Sequence, residues 1–172
     1  VEGDEIFDNM YKWRNTVGPL EERKQIANTW GYMQSYGVGF YEYFALCEDL
    51  KMTPLPVLHC GLLCQIRVGE QRGEGYRRIM PGTKEFKHEV IDNVADLLFF
   101  ALGSADSEDE NEAHWAKVRA EMGHPAPFEL KYVGIGNENW GDVYFENFAA
   151  CLMGLRQYEY AGKQVDLIKQ FG

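Results

Sequence analysis

A chain of 172 residues, 45% hydrophobic and 14% aromatic, carries enough apolar surface to bury a core, which excludes wholesale disorder, yet it falls short of the roughly 250 residues of a closed eight-fold β/α barrel. Its formal charge of −10 comes without a basic stripe, so no nucleic-acid partner is expected and neutral substrates are favoured. No apolar run approaches the roughly 20 residues that cross a bilayer, so no membrane partner is expected either.

The chain opens at Val1 without an initiator Met or a basic-then-apolar leader, which leads us to expect either a removed leader or a piece of a longer protein. Val1 to Arg23 shows no sustained period and reads as a long structured loop. Loops of this length inside a domain are usually functional, so Trp13 and Trp30 are candidates to line a site, with core packing as the competing reading. From Phe40 the apolar residues Phe40, Tyr43, Phe44, Leu46, Cys47 and Leu50 form a helical stripe. Pro54 to Cys60 then reads as a short buried strand ended by Gly61, its prolines confined to the beginning where no ladder donor is needed. His59 sits at that strand end, placed either to contact a substrate or to orient a neighbour as a satisfied core histidine.

Leu62 to Gly82 is irregular, and its arginines (Arg67, Arg72, Arg77, Arg78) are interleaved with Glu70 and Glu74, which weakens any nucleic-acid reading. A helix is expected over Thr83 to Leu102, buried on one face through Phe86, Val90, Ile91, Val94, Leu97, Leu98 and Ala101, with Gly103 as its stop. Ser104 to Glu112 has the acidic, hydrophilic composition of an exposed, mobile insertion. Ala113 to Met122 suits a short helix, and Gly123-His-Pro-Ala-Pro127 an extended connection into a strand from Phe128 to Ile135. A last helix is expected from Val143 to about Lys169, with Gly154 and Gly162 as weak points of about 1 kcal/mol each. Of the four cysteines, Cys47 and Cys151 read as small core hydrophobes, while Cys60 and Cys64 could pair in an oxidising compartment.

The stretch that organises the rest is Lys131-Tyr-Val-Gly-Ile-Gly-Asn-Glu-Asn-Trp-Gly141, a β-branched run that stops at an Asn-Glu pair. Strand C-termini form the working face of parallel α/β folds, and this places Glu138 to act. An arbitrary loop glutamate is usually just a solvated charge. Here Asn137 and Asn139 offer hydrogen bonds and Trp140 an aromatic plane, a mixture that suits a sugar. The third glycine falls at Gly141, so dinucleotide spacing fails, and no Gly-Lys-Ser/Thr follows. Helices alternating with buried strands predict an α/β domain with parallel strands, of which these residues form about one third, with no second domain within residues 1–172.

Taken together, Val1-Glu-Gly3, Trp13-Arg-Asn-Thr-Val-Gly-Pro-Leu-Glu-Glu-Arg23, Tyr43-Phe-Ala-Leu-Cys-Glu-Asp-Leu50, Met122-Gly-His-Pro-Ala-Pro-Phe128 and Tyr132-Val-Gly-Ile-Gly-Asn-Glu-Asn139 resemble the α-L-arabinofuranosidases of glycoside hydrolase family 51, in their secreted, plant- and Bacteroidetes-like branch. The resemblance implies part of a (β/α)8 TIM barrel, about its third and fourth strands with flanking helices, an incomplete barrel. It further implies retaining hydrolysis of terminal arabinofuranosyl groups in arabinose-bearing hemicellulose or pectin, such as arabinan and arabinoxylan. Carried onto this chain, Glu138 is the general acid/base, Asn137 bonds the sugar 2-hydroxyl, and Trp13, His59 and Trp140 help form the substrate site. His59 stands where relatives usually have Asn. The family's nucleophile is a Glu on a later strand, so no residue here takes that role, and this stretch alone is expected to be inactive. No metal and no cofactor are expected, and the branch suggests a secreted or periplasmic protein. Two alternatives stay open: another retaining glycosidase sharing Asn-Glu, such as a β-xylosidase or endoglucanase, and a non-catalytic half-barrel that binds carbohydrate or self-associates as a homo-oligomer.

Overall fold

A computed structural model describes residues 10–28, 31–64 and 78–157, together with the backbone of Glu159–Tyr160 and Lys163–Gln164. Trp30, the Val1-Glu-Gly3 motif, Arg67, Arg72, Arg77 and the end of the expected last helix lie outside the described residues.

The expected N-terminal loop carries two 3₁₀ turns, Trp13–Thr16 and Leu20–Glu22, followed by a hairpin of β1 (Gln25–Ala27) and β2 (Met33–Ser35) in antiparallel register. The Thr16 hydroxyl donates to Trp13 O at 2.7 Å and accepts from the Phe40 amide at 3.2 Å. This caps helix α1 (Phe40–Asp49) with the turn before it. Glu42 closes the cap, accepting the Gly39 amide at 2.8 Å and Arg23 Nη1 at 2.9 Å.

The expected apolar stripe of α1 is split. Phe40 and Phe44 are buried against Trp13 and Phe128, whereas Tyr43, Leu46 and Leu50 are exposed. The helix therefore has an apolar residue on both sides, and only one side finds a partner among the described residues.

β3 (Val57–Leu58) and β4 (Gly134–Ile135) pair in parallel, Val57 opposite Gly134 and Leu58 opposite Ile135. Pro56 contributes its carbonyl, which accepts the Gly134 amide at 2.8 Å, and Leu58 O accepts Gly136 N at 2.6 Å. Both strands are shorter than expected. Pro54 and Pro56 cannot donate to a ladder, and the Phe128 amide bonds Ala101 O at 2.8 Å instead of a strand.

Between the strands the chain forms one helical run in three pieces: α2 (Lys84–Phe86), a π-helical turn (Lys87–Ile91) and α3 (Asp92–Leu102). Thr83 caps it, accepting from the Phe86 amide. α3 is buried nearly all round, from Asn93 through Ala101, where one apolar face was expected. Its second face packs on α4 (Glu110–Glu121), the helix that covers it.

The acidic segment before α4 is fastened down. Asp109 caps α4 through the amides of Asn111 and Glu112, while the buried Glu112 accepts from Ser104 N at 2.9 Å and Ser107 Oγ at 2.8 Å. Polar composition suggested a mobile insertion, but its short side chains satisfy a helix end instead. Arg119 of α4, buried, donates to the carbonyls of Phe100, Gly103, His124 and Pro125. It holds the end of α3 against the Gly123–Pro127 connection, with its positive charge at the favourable C-terminal end of that helix.

Helix α5 (Gly141–Leu155) follows β4 and ends well before Lys169. Beyond it β5 (Glu159–Tyr160) pairs antiparallel with β6 (Lys163–Gln164). Gly154 is no break. A Cβ there would overlap the Ile91 side chain, so this glycine is the point at which α5 crosses closest to the π-helical turn.

Candidate active site

At the end of β4 the chain turns sharply. Gly136 has φ +89°, and a Cβ there would lie 2.7 Å from Tyr144 Cε2 and 3.3 Å from Cys60 Sγ, so only glycine meets both the angle and the space. Tyr144 of α5 donates its hydroxyl to Ile135 O at 2.8 Å. Asn139 then links the loops leaving the two strands: its Oδ1 accepts the Asn137 amide at 3.1 Å, and its Nδ2 donates to Leu63 O at 2.7 Å. Cys60 Sγ lies 3.8 Å from the same Oδ1.

Glu138 stands at the tip of this turn with φ +53°. Only a few per cent of residues other than glycine adopt that left-handed conformation, at a cost on the order of 1–3 kcal/mol, and they persist where neighbours over-determine them. The neighbours here are the clamped Asn137 amide on one side and Asn139 on the other. Glu138 Oε2 also accepts a hydrogen bond from Cys64 Sγ at 2.6 Å. Glu138 is nonetheless an exposed residue. A carboxyl held by one oxygen and open at the other can give or take a proton at a ligand atom placed against it.

Of the other expected site residues, Asn137 is half-buried on the same turn, and Trp140, 52% exposed, follows immediately before α5. These three share one loop.

Trp13 and His59 do not join them. Trp13 is 0% exposed, donates its indole N–H to Asn93 O at 3.2 Å, and packs with its ring centroid 4.9 Å from that of Trp115. It is a core residue and offers no surface to a ligand, which corrects the expectation that it walls the site. His59 is 1% exposed. Its Nδ1 accepts the Gly61 amide at 3.1 Å and its ring is bonded to the Glu89 backbone. Burial pushes its pKa down to about 4 against the opposing charge of Glu89, with Lys12 and Arg14 adding to the lowering. A neutral, enclosed imidazole orients the loop after β3 and leaves no atom for a substrate, so of its two readings the structure has the orienting one.

The roles of two residues, Cys64 and Asn147, escaped the sequence reading. Cys64 was weighed only as a disulfide partner, and all four cysteines are free thiols. Burial raises Cys60 to about 12, so it is an inert thiol. Asn147, buried in α5, donates to Cys60 O at 2.8 Å and Ile79 O at 3.1 Å while accepting from Arg78 Nε at 2.9 Å. Its signal in the sequence was a carboxamide interrupting the apolar stripe of α5. Among the described residues no group of three or more His, Cys, Asp or Glu could hold a metal ion.

A family model described as the Alpha-L-arabinofuranosidase 1 domain matches residues 1–170. The extracellular exo-alpha-L-arabinofuranosidase of Streptomyces chartreusis is 43% identical over 139 residues, which cover 80% of this chain and 15% of that protein. Alpha-L-arabinofuranosidase 1 of Arabidopsis thaliana is 38% identical over 146 residues, covering 84% of this chain and 18% of its own. In fold the chain is similar to the arabinose-bound MgGH51 α-L-arabinofuranosidase, with a TM-score of 0.70 at 24% identity over 92% of this chain and 23% of that one. It thus spans less than a quarter of the length of each of these relatives. The domain match over nearly the whole chain, joined to the Asn-Glu turn at the end of β4, shows that the chain belongs to the glycoside hydrolase family 51 α-L-arabinofuranosidases.

Proposed function

We propose that this chain forms the part of a (β/α)8 catalytic barrel around its third and fourth strands, in an enzyme that removes terminal α-L-arabinofuranosyl groups from hemicellulose or pectin with retention, and that Glu138 is its general acid/base. The observation that carries the reading is the parallel pairing of β3 and β4 with Glu138 just past the C-terminal end of β4, the end where β/α barrels hold their chemistry. A neutral furanoside also suits a chain of net charge −10 better than an anionic substrate does.

In this mechanism the protonated Glu138 gives its proton to the glycosidic oxygen as the bond to the anomeric carbon lengthens. A second carboxylate, roughly 5–5.5 Å away, attacks that carbon to form a glycosyl-enzyme, and Glu138 then takes a proton from the water that releases the sugar. The attacking carboxylate is assigned to the longer polypeptide that the relatives carry and to no residue of this chain. Asn137, held by its backbone beside Glu138, bonds the 2-hydroxyl, and the exposed face of Trp140 stacks on the substrate.

The test is Glu138→Gln in the polypeptide that carries this domain within its barrel. Turnover of an unactivated alkyl arabinofuranoside should fall about 10³-fold, and of a nitrophenyl arabinofuranoside far less, because a good leaving group needs little protonation. Equal losses on both substrates would refute the acid role.

A second reading is favoured by one observation. Tyr43, Leu46 and Leu50 of α1 and Leu55 just before β3 are all exposed, and Tyr43 and Leu55 line one surface pocket with Pro56 and Val57. Large apolar faces of this kind are normally covered. Within the barrel reading an adjacent stave covers this one, whereas a half-barrel acting alone would self-associate through it. The mass of the 172-residue chain in solution separates the two.

A further inference from the structure

Cys64 touches the carboxyl on which the proposed chemistry turns. Its thiol lies 2.6 Å from Glu138 Oε2, it is buried, and it sits on the loop after β3, while Glu138 sits on the loop after β4. The contact adjoins two other links between those loops, Asn139 Nδ2 donating to Leu63 O at 2.7 Å and Cys60 Sγ lying 3.8 Å from Asn139 Oδ1. The loop that carries the thiol is itself fixed from beneath. Gly61 has φ +80°, and a Cβ there would crowd Asn147, Ile79 and Val90 at 3.1–3.2 Å. Its carbonyl accepts the Ile79 amide at 2.9 Å, and its own amide is taken by His59.

We propose that Cys64 is the positioning residue for Glu138, its thiol engaging one carboxyl oxygen so that the exchangeable proton is carried on the other, the oxygen left open to a ligand. This deepens the acid/base reading and rests on it. A carboxylic acid holds a single proton, and an S–H bond directed at Oε2 disfavours a second hydrogen there, leaving Oε1 as the site that gives and regains the proton. The thiol is also a weak donor. A weak bond is enough to orient a side chain. Finally it supplies a tether for a side chain whose backbone stands in the left-handed region, where the turn would otherwise relax.

Two measurements test this separately from the glycosidase reading. The first follows alkylation of Cys64 by iodoacetamide through peptide mass spectrometry, with Cys47 as internal reference, in the native chain and in Glu138→Gln. At about pH 8.5, well above the ordinary range of a carboxyl, a carboxylate's charge beside the thiol disfavours the reactive thiolate, so Glu138→Gln should raise the Cys64 rate at least 3-fold relative to Cys47. An unchanged ratio overturns the contact and the proposal with it. The second compares Cys64→Ala with Cys64→Ser on an unactivated arabinofuranoside in the barrel-containing polypeptide. Alanine should lower kcat about 10-fold with KM nearly unchanged, and serine, which keeps a donor, should restore most of it. Equal losses in both variants overturn the positioning role. If Glu138→Gln raises Cys64 alkylation but spares turnover of the unactivated substrate, the acid/base assignment falls while the thiol–carboxyl contact stands. If turnover collapses with no change in alkylation, the assignment stands and Cys64 loses its role.

Discussion

Glu138 at φ +53° should make its position prefer glycine, and the preference can be isolated by comparing Glu138→Gly with Glu138→Ala. Both variants lose the carboxyl and the bond from Cys64, so the comparison leaves only the Cβ. A left-handed conformation costs a residue with a Cβ about 1–2 kcal/mol, while the greater freedom of glycine in the unfolded chain gives back about 0.5–1 kcal/mol. The glycine variant should therefore be more stable than the alanine variant by about 0.5–1 kcal/mol. For a chain of this length that is a Tm difference of about 2–3 °C. In a helix or strand the order is reversed, which makes the sign the informative quantity. Urea unfolding followed by far-ultraviolet circular dichroism, with matched m-values, measures it. An alanine variant as stable as the glycine variant, or more so, would show that the turn is not strained at Glu138 and would refute the reasoning.

Gly136→Ala should cost about 2–4 kcal/mol, because it adds a left-handed penalty to the overlap with Tyr144 Cε2 at 2.7 Å; a urea midpoint close to the native one would contradict this. Arg119→Met should cost about 3 kcal/mol by leaving the carbonyls of Phe100, Gly103, His124 and Pro125 without their donor. A loss below about 1 kcal/mol would mean that water replaces the guanidinium. His59 makes stability depend on pH with a definite sign. Its folded pKa of about 4 lies below the ordinary 6.5, so between those values the unfolded chain binds the extra proton. The contribution is complete above pH 6.5 and is lost as pH falls toward 4. Between pH 7 and pH 4.5 the native chain should lose about 2 kcal/mol more than His59→Asn does; parallel losses in the two would refute it.

Which parts of this were legible beforehand follows from the range of the interactions involved. The strand ends were readable because prolines, glycines and β-branched runs act locally: Pro54 and Pro56 mark the start of β3, and Gly136 marks the end of β4. The cap of the helix after Thr83 is local too, whereas that of α1 draws on Thr16, 24 positions away. The buried side of α1 was not readable, since Tyr43, Leu46 and Leu50 are as apolar as Phe40 and Phe44 and only the positions of Trp13 and Phe128 choose between them. Ser104 to Glu112 has the composition of a solvated loop, and what orders it is the fit of Ser104 and Ser107 to Glu112. At the site, Glu138, Asn137 and Trp140 lie together in sequence. The thiol that meets Glu138 comes from 74 positions earlier, and no spacing rule connects them.

The burial of Trp13 and His59 suggests how the exposed turn is supported. The acid proposed at Glu138 has to present one oxygen to a ligand and so cannot be covered by its own neighbours; its rigidity has to come from below and from the side. Tyr144 holds the Ile135 carbonyl, Asn147 holds the carbonyls of Cys60 and Ile79, and His59 holds the Gly61 amide. Each of these bonds ends on a backbone group outside the strand ladders, at the last residue of β4, just past β3 or on the segment before Thr83, where a ladder cannot satisfy it. Each is also buried or partly buried, where an unmade bond is costly. The polar groups beneath the face thus fix the two loops, the two loops fix Cys64 against Glu138, and the strained residue stays the one left open to a ligand. Substituting one of the buried supports should therefore loosen Glu138 without touching it.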